Sequence, residues 1–406
     1  MPFWIMYFGT IALLTAYLGW RLVLPSGLNR RQKALCWLGL LVSFLLHPLS
    51  YALRFLEMDM PLANWVVGLA YLSVGAVVVT ASVVFIRDMG WLTVGVLRLP
   101  LRIWRRNGTG TDGEAGREPC PERRAALARM VNAGVLVAAG GLTGYGVYGA
   151  RRVPPVKRVE VRLANLPPAF DGYRIVQLTD MHVGPTIGRE WVEGVVARAN
   201  SLGADLVAVT GDMVDDSVAR LRDSVAPMRD LSAPDGVFYV TGNHEYYHGG
   251  LDWTAYAAVL GMRALTNEHV VLRRGAARMV LGGVTDFRMG KFFPGHASSP
   301  MRAFEGAPPS VAQAGADGVT RVLLAHQPKS VFAAVQAGAD FVFSGHTHGG
   351  QFFPGTLMID WFQPYVKGLY DVENAQLYVS CGTGYWGPPI RLGAPSEITE
   401  ITLAAR

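Results

Sequence analysis

The chain has 406 residues, half of them hydrophobic, and a formal net charge of +6; that length accommodates two domains. The positive excess belongs to residues 1–156, which hold 16 Lys and Arg against 7 Asp and Glu, while residues 157–406 are slightly acidic. The globular part thus lacks the clustered basic footprint of a nucleic-acid binder, and no stable nucleic-acid partner is expected.

In chain order, four stretches carry no Asp, Glu, Lys or Arg: Met1–Trp20, Ala34–Leu53, Pro61–Ile86 and Met130–Ala150. Each has about the 20 residues a helix needs to cross a bilayer of roughly 30 Å, so residues 1–156 read as a membrane domain with about four transmembrane helices. Trp91–Trp104, which carries Arg98 and Arg102 between tryptophans, reads as a separate interfacial helix with snorkelling arginines. Asn107–Pro121 is Gly-rich and aperiodic, hence a loop. Arginines concentrate in the first and third loops, while the second holds Glu57 and Asp59. The bias places those two loops in the cytoplasm of a multi-pass inner-membrane protein and everything after Ala150 outside. Arg151, Arg152, Lys157 and Arg158 run against this bias. Arg123-Arg124 before the last apolar run reads either as a juxtamembrane basic pair or as a twin-arginine export signal. Cys36, Cys120 and Cys381 make neither a disulfide framework nor a thiolate metal motif.

From Val159 onward, short apolar runs each end in polar residues. Tyr173–Leu178 leads to Asp180 and His182, Asp205–Val209 to Asp212, and Gly236–Val240 to Asn243 and His244. Val322–Leu324 leads to His326, and Asp340–Phe343 to His346 and His348. Helical stretches at Arg189–Ser201 and Val218–Leu231 fill the first intervals, the spacing of βαβ units. Strand-like Leu377–Ser380 and Glu397–Leu403 point to a second sheet, so residues 157–406 read as a layered α/β sandwich of two β-sheets flanked by helices. Open α/β sheets place their sites beyond the carboxyl ends of strands. Five histidines gathered there beside carboxylates and an amide form a nitrogen and oxygen donor set, suited to Zn, Mn, Fe or Co.

The ordered blocks D-M-H, G-D-M-V-D-D, G-N-H-E, A-H and G-H-T-H-G-G resemble those of the calcineurin-like metallophosphoesterases over residues 157–406. Within that superfamily they are most similar to the membrane-associated bacterial branch of YkuE-like and YaeI-like proteins, helped by the ending S-C-G-T-G-Y-W-G-P-P-I-R at 380–391. Phosphoprotein phosphatases carry G-D-Y-V-D-R-G, and here Asp216 and Ser217 follow Asp215 instead. The resemblance implies two divalent or trivalent metal ions. Asp180, His182 and His348 would hold the first, Asn243, His326 and His346 the second, and Asp212 would bridge them. It further implies hydrolysis of a phosphate ester, lipid-linked esters included, by a metal-bridging hydroxide, with His244 as the non-ligand catalytic residue. Arg391 reads either as a contact to substrate phosphate or as an exposed structural arginine. Gly211, Gly242 and Gly345 read as sharp turns beside the ions. Two rival readings stay open: a hydrolase of lipid-linked or nucleotide-sugar pyrophosphates, and a non-catalytic, metal-stabilised membrane scaffold.

Overall fold

The computed structural model describes residues 2–56, 61–107, 121–310 and 318–406. The chain divides into two compact units, Met1–Tyr145 and Gly146–Arg406. The Gly-rich stretch at 107–121 and the acidic pair Glu57 and Asp59 fall almost wholly outside the described residues.

The first unit is helical: α1 (Pro2–Leu18), α2 (Arg30–Phe55), α3 (Pro61–Asn107) and the greater part of α4 (Pro121–Arg151). All four are long and apolar enough to cross a membrane. α3 and α4 open on proline, whose missing N–H is no loss in a first turn. An Asn29–Gln32 capping box opens α2. Leucines and valines lie exposed along the outer faces, as at Leu38, Leu45, Leu69 and Val137. Exposed apolar surface on this scale marks contact with a non-aqueous environment. The turn after α1 is tied to α3 where Arg21 grips Asp88 in a fork, with both N–O distances 2.7 Å. One expectation is corrected here. Trp91–Trp104 is no separate helix but the unbroken continuation of α3, which runs through Pro100.

The second unit stacks two six-stranded sheets between helical layers. With β1 (Val156–Leu163), β5 (Arg263–Ala264), β6 (Glu268–Arg274), β10 (Gly368–Val372) and β12 (Ile398–Ala405) beside the strands bounded below, the first has the order β1-β12-β2-β3-β4-β5 and the second β10-β11-β9-β8-β7-β6. In the first, β2 (Arg174–Leu178), β3 (Leu206–Thr210) and β4 (Val237–Val240) are parallel. In the second, β7 (Ala277–Gly283), β8 (Thr320–Leu324), β9 (Phe341–Ser344) and β11 (Ala375–Val379) are parallel. Parallel strands need crossovers, which is why α5 (Arg189–Asn200) and α6 (Val218–Val225) lie between the first three. The alternation of side chains along a strand builds two cores at once. Leu206 and Ala208 of β3 face the second sheet and meet Phe341, Phe343 and Leu281. Val207 and Val209 face outward onto Val192, Val195 and Trp253 of the helical layer. A third core covers the far side of the second sheet, where Val342 and Leu377 pack on Val331 and Ala334. The layered sandwich expected from the sequence is the observed architecture, except that the strand expected at Glu397–Leu403 joins the first sheet and not the second.

Candidate metal centre

The carboxyl ends of β2, β3, β4, β8 and β9 converge, and the chain turns sharply as it leaves them. Asp180, His182, Asp212, His346 and His348 have φ of 53°, 49°, 49°, 70° and 51°. Non-glycine residues rarely adopt this left-handed region, and such strain persists only where the surroundings over-determine it. Here cross-links between the exit loops do so. Asp180 N–H donates to Gly211 O at 3.0 Å, and His182 N–H to Asp212 O at 3.1 Å. His346 N–H reaches both Asp180 carboxylate oxygens at 3.0 Å. Of the three glycines expected to turn, only Gly211 has a positive φ, 87°. Gly242 and Gly345 supply room instead: a Cβ on the first would strike the Asp212 carboxylate, and on the second the Asp180 carboxylate.

Seven of the eight strand-exit residues named from the sequence bring ligand atoms into overlapping groups, and the eighth, Asn243, adjoins His244 in the chain. Ligand atoms of Asp180, His182 and His348 lie within 4.8 Å of one another, as do those of Asp212, His326 and His346, and of His182, Asp212 and His244. Asp212 thus belongs to two groups: its Oδ2 is 3.1 Å from His326 Nε2 and 3.9 Å from His182 Nε2. His182 Nε2 is 3.0 Å from His348 Nε2, and His326 Nε2 is 3.2 Å from His346 Nδ1. Ring nitrogens brought so close have no partner as good as a shared cation. Asn243 Oδ1 is buried without any hydrogen-bond partner, a costly state unless something electropositive meets it. The residues therefore fit a metal centre with a nitrogen and oxygen donor set.

The supporting residues were less evident. Asp215 Oδ1 lies 2.8 Å from His182 Nδ1 and 2.7 Å from His244 Nδ1, so one carboxylate orients both rings. His326 Nδ1 meets Thr210 O at 2.9 Å, which turns Nε2 toward Asp212. The Glu245 carboxylate accepts from the N–H groups of Asp212, Met213 and Gly242 at 3.0, 2.6 and 2.7 Å, joining the Asp212 and Asn243 loops. A buried amide deprived of its acceptor costs about 1–3 kcal/mol, so this one side chain has a large hold on the centre. G-D-M-V-D-D and G-N-H-E display Asp215 and Glu245 in the sequence, but spacing alone does not say which donors they serve.

Electrostatics separates the two buried aspartates. Burial, with Asp212 nearby, pushes the Asp180 carboxyl up. Burial acts the same way on Asp212, but His326 and then His244 outweigh it and hold that carboxyl well below the usual range. For His244, burial would lower the pKa; Asp212 and the bond to Asp215 overcome this and raise it to about 9. Burial lowers His346 to about 3, with His326 adding to the effect, so its ring is neutral and ready to coordinate.

The reading of Arg391 as an exposed arginine requires correction. The residue is 3% exposed, so it is not a surface arginine. Its guanidinium donates to carbonyl oxygens of Gly384, His348 and Ala394.

Comparison with known proteins agrees with this geometry. The family model described as calcineurin-like phosphoesterase matches residues 173–350. An uncharacterized metallophosphoesterase of Helicobacter pylori is 34% identical over 287 residues, which cover 70% of this chain and 73% of that protein. A zebrafish (Danio rerio) transmembrane protein with metallophosphoesterase domain is 36% identical over 267 residues, 64% of this chain and 59% of that protein. Uncharacterized metallophosphoesterase YkuE of Bacillus subtilis is 28% identical, over 66% of this chain and 93% of its own length. The match thus spans 59% of the vertebrate relative.

Proposed function

From the premise that this chain belongs to the calcineurin-like phosphoesterase family, we propose that it is a membrane-anchored phosphoesterase that works with two metal ions. The observation that carries the reading is the sharing of Asp212 between two groups of ligand atoms; the buried, unpartnered Asn243 Oδ1 supports it. Asp180, His182 and His348 would hold one ion, Asn243, His326 and His346 the other, and Asp212 would serve both. When bound, the ions supply the Lewis acidity that activates water and neutralises charge on the phosphoryl oxygens.

The protein's own part is positional. Asp215 fixes His182 through Nδ1, leaving Nε2 for coordination. The same carboxylate holds His244 by Nδ1, so that its Nε2, 4.0 Å from Asp212 Oδ2, faces the space between the two groups. The Nδ1 bond to the Asp215 carboxylate favours the protonated ring, and in that form it can give a proton to a departing oxygen. The rings of Tyr247 and Trp386 stand 5.3 and 5.8 Å from that of His244, and both side chains are at least half exposed. They give the mouth an apolar, aromatic wall. This favours esters with an apolar group next to the phosphate, lipid-linked esters among them.

Metal-loaded full-length protein is expected to hydrolyse phosphate esters, faster for a long-chain alkyl ester than for its short-chain homologue. No turnover of monoesters, diesters or pyrophosphates by protein holding two ions would remove the catalytic reading and leave the scaffold. For orientation, the arginine-rich loops support an extracytoplasmic catalytic unit. A reporter joined after Arg406 is therefore expected to be active outside the cytoplasm; activity only inside would reverse the assignment.

A further inference from the structure

Arg391 belongs to a Pro-rich segment, yet it is buried, and no carboxylate is hydrogen-bonded to it among the described residues. Its Nε donates to Gly384 O at 3.1 Å, and its Nη1 to His348 O at 2.9 Å and Ala394 O at 3.3 Å. Its Nη2 donates to Gly384 O and to His348 Nδ1, the latter at 2.9 Å. All five N–H groups of the fork thus have partners. Two of those partners, a carbonyl and a ring nitrogen, belong to one residue. The guanidinium therefore fixes the backbone and the side chain of His348 together, with His348 Nε2 turned to Asp180 Oδ1 at 3.4 Å.

The arginine is in turn seated on the last turns of α4, which lie in the second unit. Arg391 N–H donates to Gly146 O at 2.9 Å. A Cβ on Gly146 would come 2.6 Å from Ile390 Cγ2, and one on Gly149 would come 3.4 Å from Arg391 O. The bare backbone at Gly146 is what lets Ile390 lie so close to the helix, while at Gly149 the approach is an ordinary contact.

We infer that Arg391 is a positioning residue for the metal ligand His348, held in register by its close seat on α4 at Gly146. The inference rests on the two-metal reading above. Lysine cannot replace the fork, because one ammonium on a flexible stem cannot span the His348 carbonyl and ring while reaching Gly384. Loss of such a supporting partner typically costs about 10–100-fold in metal affinity.

The test uses full-length protein in detergent, stripped of metal and titrated with Co(II), read by calorimetry and by the visible spectrum. Wild type is expected to take two ions. Arg391→Lys should weaken one of them about 10–100-fold and change its band, leave the other unaltered, and lose the same ion that His348→Ala loses. Should Arg391→Lys not fold, Gly146→Val carries the test, since it keeps the guanidinium and disturbs only its seat; the same ion should weaken. Equal weakening of both ions, or wild-type affinity with only a lower melting temperature, would make Arg391 merely structural and overturn the inference. A wild type that binds no Co(II) would instead bring down the metal-centre reading beneath it.

Discussion

Asp212→Ala is expected to empty both metal positions and abolish hydrolysis. The carboxylate occupies the middle of the centre, with Oδ2 at 3.1, 3.9 and 4.0 Å from the Nε2 atoms of His326, His182 and His244. Among the described His, Cys, Asp and Glu residues, no other side chain shares ligand-atom groups with both His182 and His326. Supporting residues alone are worth about 10–100-fold in metal affinity, so losing a ligand shared by two ions should cost more than about 100-fold at each. Asn243→Ala removes a ligand from one group only and should weaken one ion chiefly. Asp212→Asn refines the comparison: it keeps the volume and an oxygen for the His244 N–H, now 2.8 Å from Oδ1, while removing the charge. Metal content of the purified variants, with calorimetric titration of the stripped proteins, decides the matter. An Asp212→Ala protein that retains one ion at wild-type affinity would show that the two positions do not depend on a common carboxylate.

The ligands were legible in the sequence because a strand-exit site writes itself as an apolar run followed at once by donors, and this chain repeats that phrase five times. Asp180, Asp212 and His326 each stand within two residues of a strand end. The layered architecture was legible for the same reason. Strand order was not: β12 (Ile398–Ala405), last in the chain, pairs with both β1 (Val156–Leu163) and β2. Nothing local to Ile398–Ala405 announces those neighbours. Burial of Arg391 was hidden too, because it depends on a helix about 240 residues earlier in the sequence. A Pro-Pro-Ile-Arg segment read by itself looks exposed. The reading of α3 failed at Pro100 and its flanking arginines, which suggest a break. A helix interrupted there would have to leave backbone groups unpaired among apolar side chains, and the chain continues through instead. Gly242 and Gly345 show a subtler limit: the sequence signals that a side chain is excluded, but not whether dihedral angle or space excludes it.

His244→Ala is expected to keep its metals and lose its rate. The structure adds a physical reason for separating the two effects. His244 is tethered by Nδ1 to Asp215, and Asp215 also holds His182. Removing the His244 ring leaves the bond to His182 in place, so the first group of ligands keeps its orientation. The His244 backbone N–H to Asp212 Oδ1 also survives, because it belongs to the main chain. What disappears is the ring that Asp215 holds by Nδ1, and with it the proton the ring can give to the departing oxygen. General acid assistance is typically worth about 10²–10⁴-fold, which is the drop in turnover expected for alkyl esters. Nitrophenyl esters, whose leaving group departs without a proton, should lose much less. Asp215→Asn should behave differently, weakening metal binding through His182 as well as lowering the rate through His244. Turnover of alkyl and nitrophenyl esters, measured beside metal content for both variants, separates the roles. If His244→Ala sheds metal as fully as Asp212→Ala, or hydrolyses both esters at wild-type rates, His244 is not the proton donor.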